Sequence, residues 1–270
     1  MTRPAGSSAG TSTADDPALP LYVYGIVDAG ERPALPSGGV GGATQVHAIA
    51  EGPLAAVVSA LPEGATPGRR EDLEAHERVL STIVAHATVV PMRFGVVMND
   101  AETVRERLLR RHSATLQELL EGVRGRVQMS VKAFYAEEAV LREVIATHPE
   151  IARRAAEVRD RPDADTRGVK LWLGEMIAAE VARRRDADQQ RLLDRLAPVV
   201  DDVRVEPPAN ERVALNAQVL VRRDGREPLD AAVRTLSEEE AGRLAFRYVG
   251  PLAPYSFADL SLAAEESPWA

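Results

Sequence analysis

The residues best suited to chemistry in this chain are two histidines, three runs of acids and one glycine-rich loop. His76 and His86 fall in one helical segment, Glu71–Ala87. At ~100° and ~1.5 Å per residue they point about 80° apart and stand about 15 Å apart along the axis. Helical metal pairs sit three or four residues apart, so that both rings face one ion. The position four beyond His76 is Leu80, and no metal site is expected. Cysteine is absent, which removes disulfides and thiolate chemistry.

Carboxylates cluster at Glu71-Asp72, Glu137-Glu138 and Glu238-Glu239-Glu240. Hydrolytic pairs need two carboxyls facing across a cleft in unequal surroundings. The first two clusters open helices, where acids favour the helix dipole. The third reads as a solvated face. The loop Ser37-Gly-Gly-Val-Gly-Gly42 has the glycines of a phosphate cradle. A strand rather than a helix follows it, with no Lys-Ser or Lys-Thr, so it reads as a flexible loop. No Gly-x-Ser-x-Gly elbow occurs, and Ser256 stands between Tyr255 and Phe257. Arg93, in Pro-Met-Arg-Phe-Gly, is a lone cation in an apolar setting and reads as an internal ion pair before an anion site. Trp172 and Met176 share helical spacing and read as core. No catalytic residue, cofactor or metal is expected.

The 270 residues suffice for two domains, and a formal net charge of −8 argues against nucleic acid as partner. Residues 1–18 lack the apolar run of a secretory signal and read as a disordered lead-in. Ala263–Ala270 reads as similarly loose. No apolar run approaches the length that spans a bilayer. The Arg pair at 110–111 and the run at 183–185 read as solvated helix faces.

The elements that would position these residues divide into two sets. Leu21–Val27 is apolar on both faces and reads as a central strand. Gln45–Ala50 and Leu54–Ala60 form a hairpin around Gly52-Pro53. A helix over Glu71–Ala87 buries Leu73, Val79, Leu80, Ile83 and Val84. Thr88–Val97 is apolar but holds Pro91, which implies an edge strand, a bulge or a bend. Asn99-Asp100 offers an N-cap for the next helix, which Gly122 and Gly125 end.

From Arg126 onward the pattern is strand, helices, strand, strand, helix, strand. Arg126–Tyr135 and Glu211–Arg223 alternate cleanly. Helices run from Glu137 to about Arg159 and from about Thr166 to Leu196, broken at His148-Pro149 and Arg161-Pro162. Val199–Glu206 is a short strand, Glu227–Ala241 one continuous helix, and Arg243–Val249 the last strand. This is the split β-α-β order of a ferredoxin-like sandwich with an enlarged helical crossover. The fold class expected is α+β with two domains: a lead-in over 1–19, a mixed α/β unit over 20–124, a ferredoxin-like domain over 125–250 and a C-terminal tail over 251–270. Pro251 and Pro254 end the last strand. The apolar tail beyond them must pack on its own body or on a partner.

Four motifs resemble one known family. They are Leu21-Tyr-Val-Tyr-Gly-Ile-Val27, Glu74-Ala-His-Glu-Arg-Val79, Val89-Val-Pro-Met-Arg-Phe-Gly95 and Arg247-Tyr-Val-Gly-Pro-Leu-Ala-Pro-Tyr-Ser-Phe257. In this order, across roughly residues 20–258, they are similar to the gas vesicle accessory proteins of the F/L type. The family pattern usually reads Gly-Pro-Trp-Pro-Pro-Tyr-Ser-Phe where this chain has Leu252 and Ala253, and threonine is common where it has Val96. The resemblance implies a two-domain α/β protein, a minor component in the assembly of hollow, buoyant protein organelles. It implies binding to the small hydrophobic shell subunit and to other accessory proteins in the cytoplasm, without catalysis, nucleic acid or lipid membrane.

A sticky shell subunit is held soluble by a partner that covers its apolar face or strand edge. The surfaces expected to do so are the Thr88–Val97 edge, the Gly250–Phe257 tail and, less strongly, the helix over Thr166–Leu196. The interface residues expected are Arg93, Phe94, Tyr248, Pro251, Pro254, Tyr255 and Phe257. Two other classes compete. A small-ligand-sensing regulatory module would show a polar pocket with convergent donors. An enzyme would show His76 or His86 beside a carboxylate in a cleft.

Overall fold

A computed structural model describes residues 19–62, 64–158 and 163–259. The lead-in expected over 1–18, the break at Arg161-Pro162 and the loose end from Ala263 lie outside these residues.

The first sheet is built around β1, Leu21–Asp28, whose residues are almost all buried. β2 (Val46–Glu51) and β3 (Leu54–Ala60) form the expected hairpin, and β3 pairs antiparallel with β1. On the other edge of β1, the Thr88–Val97 segment contributes only two short pieces. These are β4 (Val90–Pro91), opposite Gly25 and Ile26, and β5 (Val97–Met98), opposite Leu21 and Tyr22. Pro91 and the excursion between the two pieces prevent a continuous edge strand.

β1 is covered on both faces. Tyr22 and Tyr24 face helix α1 (Arg70–Val84), while Leu21, Val23 and Ile26 face the helices that follow β5. A register shift between Val23 and Gly25 flips the alternation, which is why Ile26 does not share a face with Tyr24. Gly25 sits at this irregularity. A Cβ there would stand 2.7 Å from Val89 Cγ2 and 2.9 Å from the Val90 carbonyl oxygen, so only glycine lets β4 approach.

Asp100 caps the next helix as expected, its carboxylate accepting from the Thr103 N–H at 2.6 Å. The short α2 (Ala101–Thr103) runs into a π-helical stretch, Val104–Arg110, and α3 (Ser113–Gly122) follows after a break at His112. The single helix expected here is therefore interrupted.

The second sheet comprises β6 (Arg126–Tyr135), β7 (Asp202–Val205), β8 (Val213–Arg222) and β9 (Leu244–Leu252), in the spatial order β7-β8-β6-β9. Every pairing is antiparallel. Helices α4 (Glu137–Thr147), α5 (Pro149–Val158), α6 (Asp163–Leu196) and α7 (Glu227–Glu239) supply apolar residues to the core on one face. The helix break at His148-Pro149 falls where proline demands it. β9 continues through Pro251 to Leu252, past the expected end at Val249, with a register shift and a cis Gly250–Pro251 bond. Proline is tolerated because β9 is an edge strand.

Two expected core residues lie outside. Leu73 is 46% exposed, and Trp172 is 36% exposed with the Arg154 guanidinium 5.9 Å from its ring centroid. An ionic cluster ties the helices to β9. Asp188 accepts from Tyr135 Oη at 2.7 Å and from Arg243 at 2.6 Å, and Arg243 also donates to Glu143 at 2.8 Å.

The halves share one apolar cluster, which includes Tyr22, Val79 and Ile83 from the first and Val127, Met129 and Val219 from the second. Arg223 reinforces the junction. It donates to the carbonyl oxygens of Val84 and Ala87 at 3.0 and 2.7 Å, placing a cation on the C-terminal end of α1.

Candidate functional site at the strap

The segment after β9 turns back over the junction. The Pro254 carbonyl accepts from the N–H groups of Phe257 and Ala258, at 3.0 and 2.9 Å, which curls the chain into a tight turn. Ala253, Pro254 and Ala258 are buried. Residues 253–259 form a strap that reaches both sheets.

Its main contact is His76. The α1 stripe at Val79, Leu80 and Ile83 continues back to His76, so the ring is carried into the core with no exposed surface. Nδ1 lies 2.9 Å from Tyr22 Oη and Nε2 lies 2.8 Å from Tyr255 Oη. Tyr22 Oη also accepts from the Gly95 N–H at 3.0 Å, and Tyr255 Oη lies 3.5 Å from Glu77 Oε1. One assignment satisfies every partner. Tyr22 donates to Nδ1, Nε2–H donates to Tyr255, and Tyr255 donates to Glu77.

Aromatic rings close the surroundings. Tyr24 stacks on His76 with centroids 5.7 Å apart, and Phe94 meets it edge-on at 5.7 Å. Burial pushes the His76 pKa down to about 4, against a smaller opposing pull from the Met92 backbone. Burial also raises the pKa values of Tyr22, Tyr255 and Glu77.

The rest of the strap engages the other elements. The Ser256 N–H donates to Gln128 Oε1 at 3.0 Å, and Gln128 donates in turn to Gln218 at 3.1 Å. Phe257 lies beneath the Arg204 guanidinium, 5.9 Å from ring to cation. Arg93 donates to Asp259 at 2.6 Å in an exposed ion pair. A shallow cleft of about 380 Å³ lies alongside, lined by Pro91, Arg93, Glu206, Tyr255, Ser256 and Asp259 among others.

Of the expected interface residues, Arg93, Phe94 and Tyr255 come together here, with Pro254 and Phe257 in the same strap. Tyr248 lies elsewhere, donating to Asp230 on α7 at 2.7 Å, and Pro251 is exposed on β9. Arg93 makes an ion pair, but an exposed one on the strap rather than the internal one its apolar setting suggested. Tyr22, Tyr24, His76, Gln128 and Gln218 were not singled out as a group by the sequence reading. The one sign available for His76 was its place on the apolar stripe of α1.

The arrangement is poorly suited to acid-base or metal chemistry at His76. Both ring nitrogens are occupied by tyrosine hydroxyls, and the ring has no access to solvent. Asp72, the other notable acid on α1, is taken up by the N–H groups of Gly41, Gly68 and Arg69, which hold its pKa below the usual carboxylate range. Among the described residues no group of three or more His, Cys, Asp or Glu is placed to hold a metal ion, and no helix is long and apolar enough to cross a membrane.

Residues 20–259, which span both sheets and the strap, match the family described as gas vesicle synthesis protein GvpL/GvpF. The chain belongs to the GvpL/GvpF family. It is 38% identical over 244 residues to gas vesicle protein F of Streptomyces sp., covering 89% of this chain and 100% of that one. It is 30% identical over 197 residues to gas vesicle protein F of Nostoc sp., covering 71% and 79% respectively. The crystal structure of the gas vesicle protein GvpF from Anabaena sp. has a TM-score of 0.76 at 26% identity, covering 90% of this chain and 100% of that one. Membership of the GvpL/GvpF family assigns the chain a role in gas vesicle assembly.

Proposed function

We propose that this GvpL/GvpF protein is a non-catalytic accessory factor that binds other proteins, first among them the small hydrophobic shell subunit of the vesicle. The observation that carries the reading is the family match across residues 20–259. The closed environment of His76 agrees with a role that makes and breaks no bond.

The strand order β7-β8-β6-β9 supports a ferredoxin-like reading of the second half, with α4–α6 as an enlarged first crossover. We take residues 20–124 and 125–250 as two domains clasped by the strap, working in the cytoplasm. The surfaces that favour partner binding are the broken edge formed by β4 and β5 and the outward part of the strap region. There Arg93 is exposed, and Phe94, Tyr255 and Phe257 are half-buried, while the exposed Pro251 on β9 and the half-buried Tyr248 against α7 would make a separate contact. Pro254 is packed inward and serves the strap.

The test is co-expression of the tagged full chain with the shell subunit. Retention of the subunit and delay of its aggregation at comparable concentrations are the expected results. A chain that neither retains the subunit nor slows its aggregation overturns the binding role, and turnover of a metabolite by the purified protein overturns the non-catalytic one.

A further inference from the structure

The strap covers one end of the second sheet's helix-free face and leaves the other end open. Lys132 on β6 stands directly opposite Arg247 on β9 there. Their sequence neighbours Val131, Ala133, Phe246 and Tyr248 belong to the helix-covered core, so Lys132 and Arg247 face the other way. Arg247 is exposed and Lys132 partly so. Among the described residues neither side chain has an ion-pair or hydrogen-bond partner.

The rest of the row explains why. Asn216 on β8 lies on the other side of Lys132, and Glu206 lies beyond it. Glu206, two strands away, accepts from Asn216 Nδ2 at 3.2 Å and lies 3.4 Å from Ser256 Oγ. In the adjoining row Arg204 is paired with Asp202. Like charges directly opposite each other on a sheet are destabilising. Here two cations sit side by side without a counterion among the described residues, on a chain whose net charge is −8. Apolar side chains frame them: Phe134 and Ala245 on one side, and Val249, 40% exposed, on the other.

We propose that this face is a docking surface for an acidic segment of a partner protein, with carboxylates on Lys132 and Arg247 and apolar side chains against Phe134 and Val249. It rests on the partner-binding reading above and adds the chemistry of one partner. A nucleic acid would need a longer row of phosphate contacts than two cations in an acidic chain provide.

The probe is a labelled peptide of alternating glutamate and valine, titrated against the full chain by fluorescence anisotropy. Binding at low salt that weakens with added salt is expected. Lys132→Ala with Arg247→Ala should weaken it about tenfold, the range of two modest ion pairs. Lys132→Arg should retain it. The double variant should melt no lower than the parent, because it removes a repulsion. Carbodiimide coupling of the peptide to Lys132 would support the placement directly. Unchanged affinity in the double variant overturns the proposal, as does equal binding of a single-stranded oligonucleotide. If Glu265→Gln with Glu266→Gln raises peptide affinity tenfold, the face belongs to the chain's own acids and the proposal also fails. A double variant that loses the peptide but still delays shell aggregation leaves the assembly role intact, so the two failures are read separately.

Discussion

Tyr255 Oη lies 2.8 Å from His76 Nε2, although 179 residues separate the two in the chain. This bond fastens the strap to the first helix. It also gives a buried imidazole N–H an acceptor that no neighbouring residue in sequence supplies.

Tyr255→Phe should therefore destabilise the protein. The ring still fills its space, but Nε2–H is left buried without a partner, at a cost of about 1–3 kcal/mol. For a chain of this size the melting temperature should fall by roughly 2–4 °C per kcal/mol. Thermal denaturation followed by circular dichroism measures this, and an unchanged midpoint would show that the bond contributes nothing.

Acid should weaken the fold through His76. Its pKa is lowered from 6.5 to about 4 by burial. Between these values the unfolded chain takes up a proton that the folded chain refuses, so stability falls as the pH drops through that window. The full effect is about 3 kcal/mol. Glu77 works in the opposite sense. Burial raises its pKa, so it favours the folded state as the pH falls. Comparison of the wild type with His76→Gln isolates the imidazole. Denaturant unfolding from pH 7 to pH 4 should give the variant a flatter profile, and parallel profiles would contradict a neutral buried ring.

Arg93→Ala should change stability little. The Arg93 and Asp259 side chains are 64% and 46% exposed, and exposed pairs contribute about 0–1 kcal/mol. Added salt should shrink the difference further. Weaker retention of the shell subunit with an unchanged melting temperature would place Arg93 in the interface. A drop of many degrees would instead assign it to the fold.

Gly25→Ala should be far more damaging than its size suggests. The new methyl would meet Val89 and the Val90 backbone at 2.7 and 2.9 Å, and backbone cannot swing aside as a flexible side chain can. Overpacking of this kind costs about 1–3 kcal/mol. Urea unfolding should show a lower midpoint. A midpoint equal to that of the parent would mean that β4 can retreat from β1 freely.

Period-two alternation made β6 legible in the sequence from Arg126 to Tyr135, and the Gly52-Pro53 turn fixed β3 over Leu54–Ala60. Both patterns are local: alternation marks the helix-covered face of β6, and the Gly-Pro turn marks where the β2–β3 hairpin reverses, although β3 itself is buried on both faces. The failures are of another kind. Trp172 looked like core because apolar spacing marks a helix face without saying what covers it. Pro251 reads as a strand end from its missing N–H, but that loss is costly only where a further strand would need it, and β9 has none on that side. Nothing near His76 in sequence marks it as a partner, because the spacing of histidines speaks only to metal binding. What holds it is a pair of tyrosines at positions 22 and 255, a relationship that no local window contains.

The clasp formed by residues 253–259 has a temporal side. Ribosomes make these residues after everything they fasten: His76, Arg93, Gln128 and Glu206. A polypeptide released early, short of Ala253, would carry every described strand and helix of both sheets and yet leave Nε2 of His76 and Oε1 of Gln128 unclaimed. Such a fragment should open at this seam more readily than the full chain, which limited proteolysis of the two forms would show.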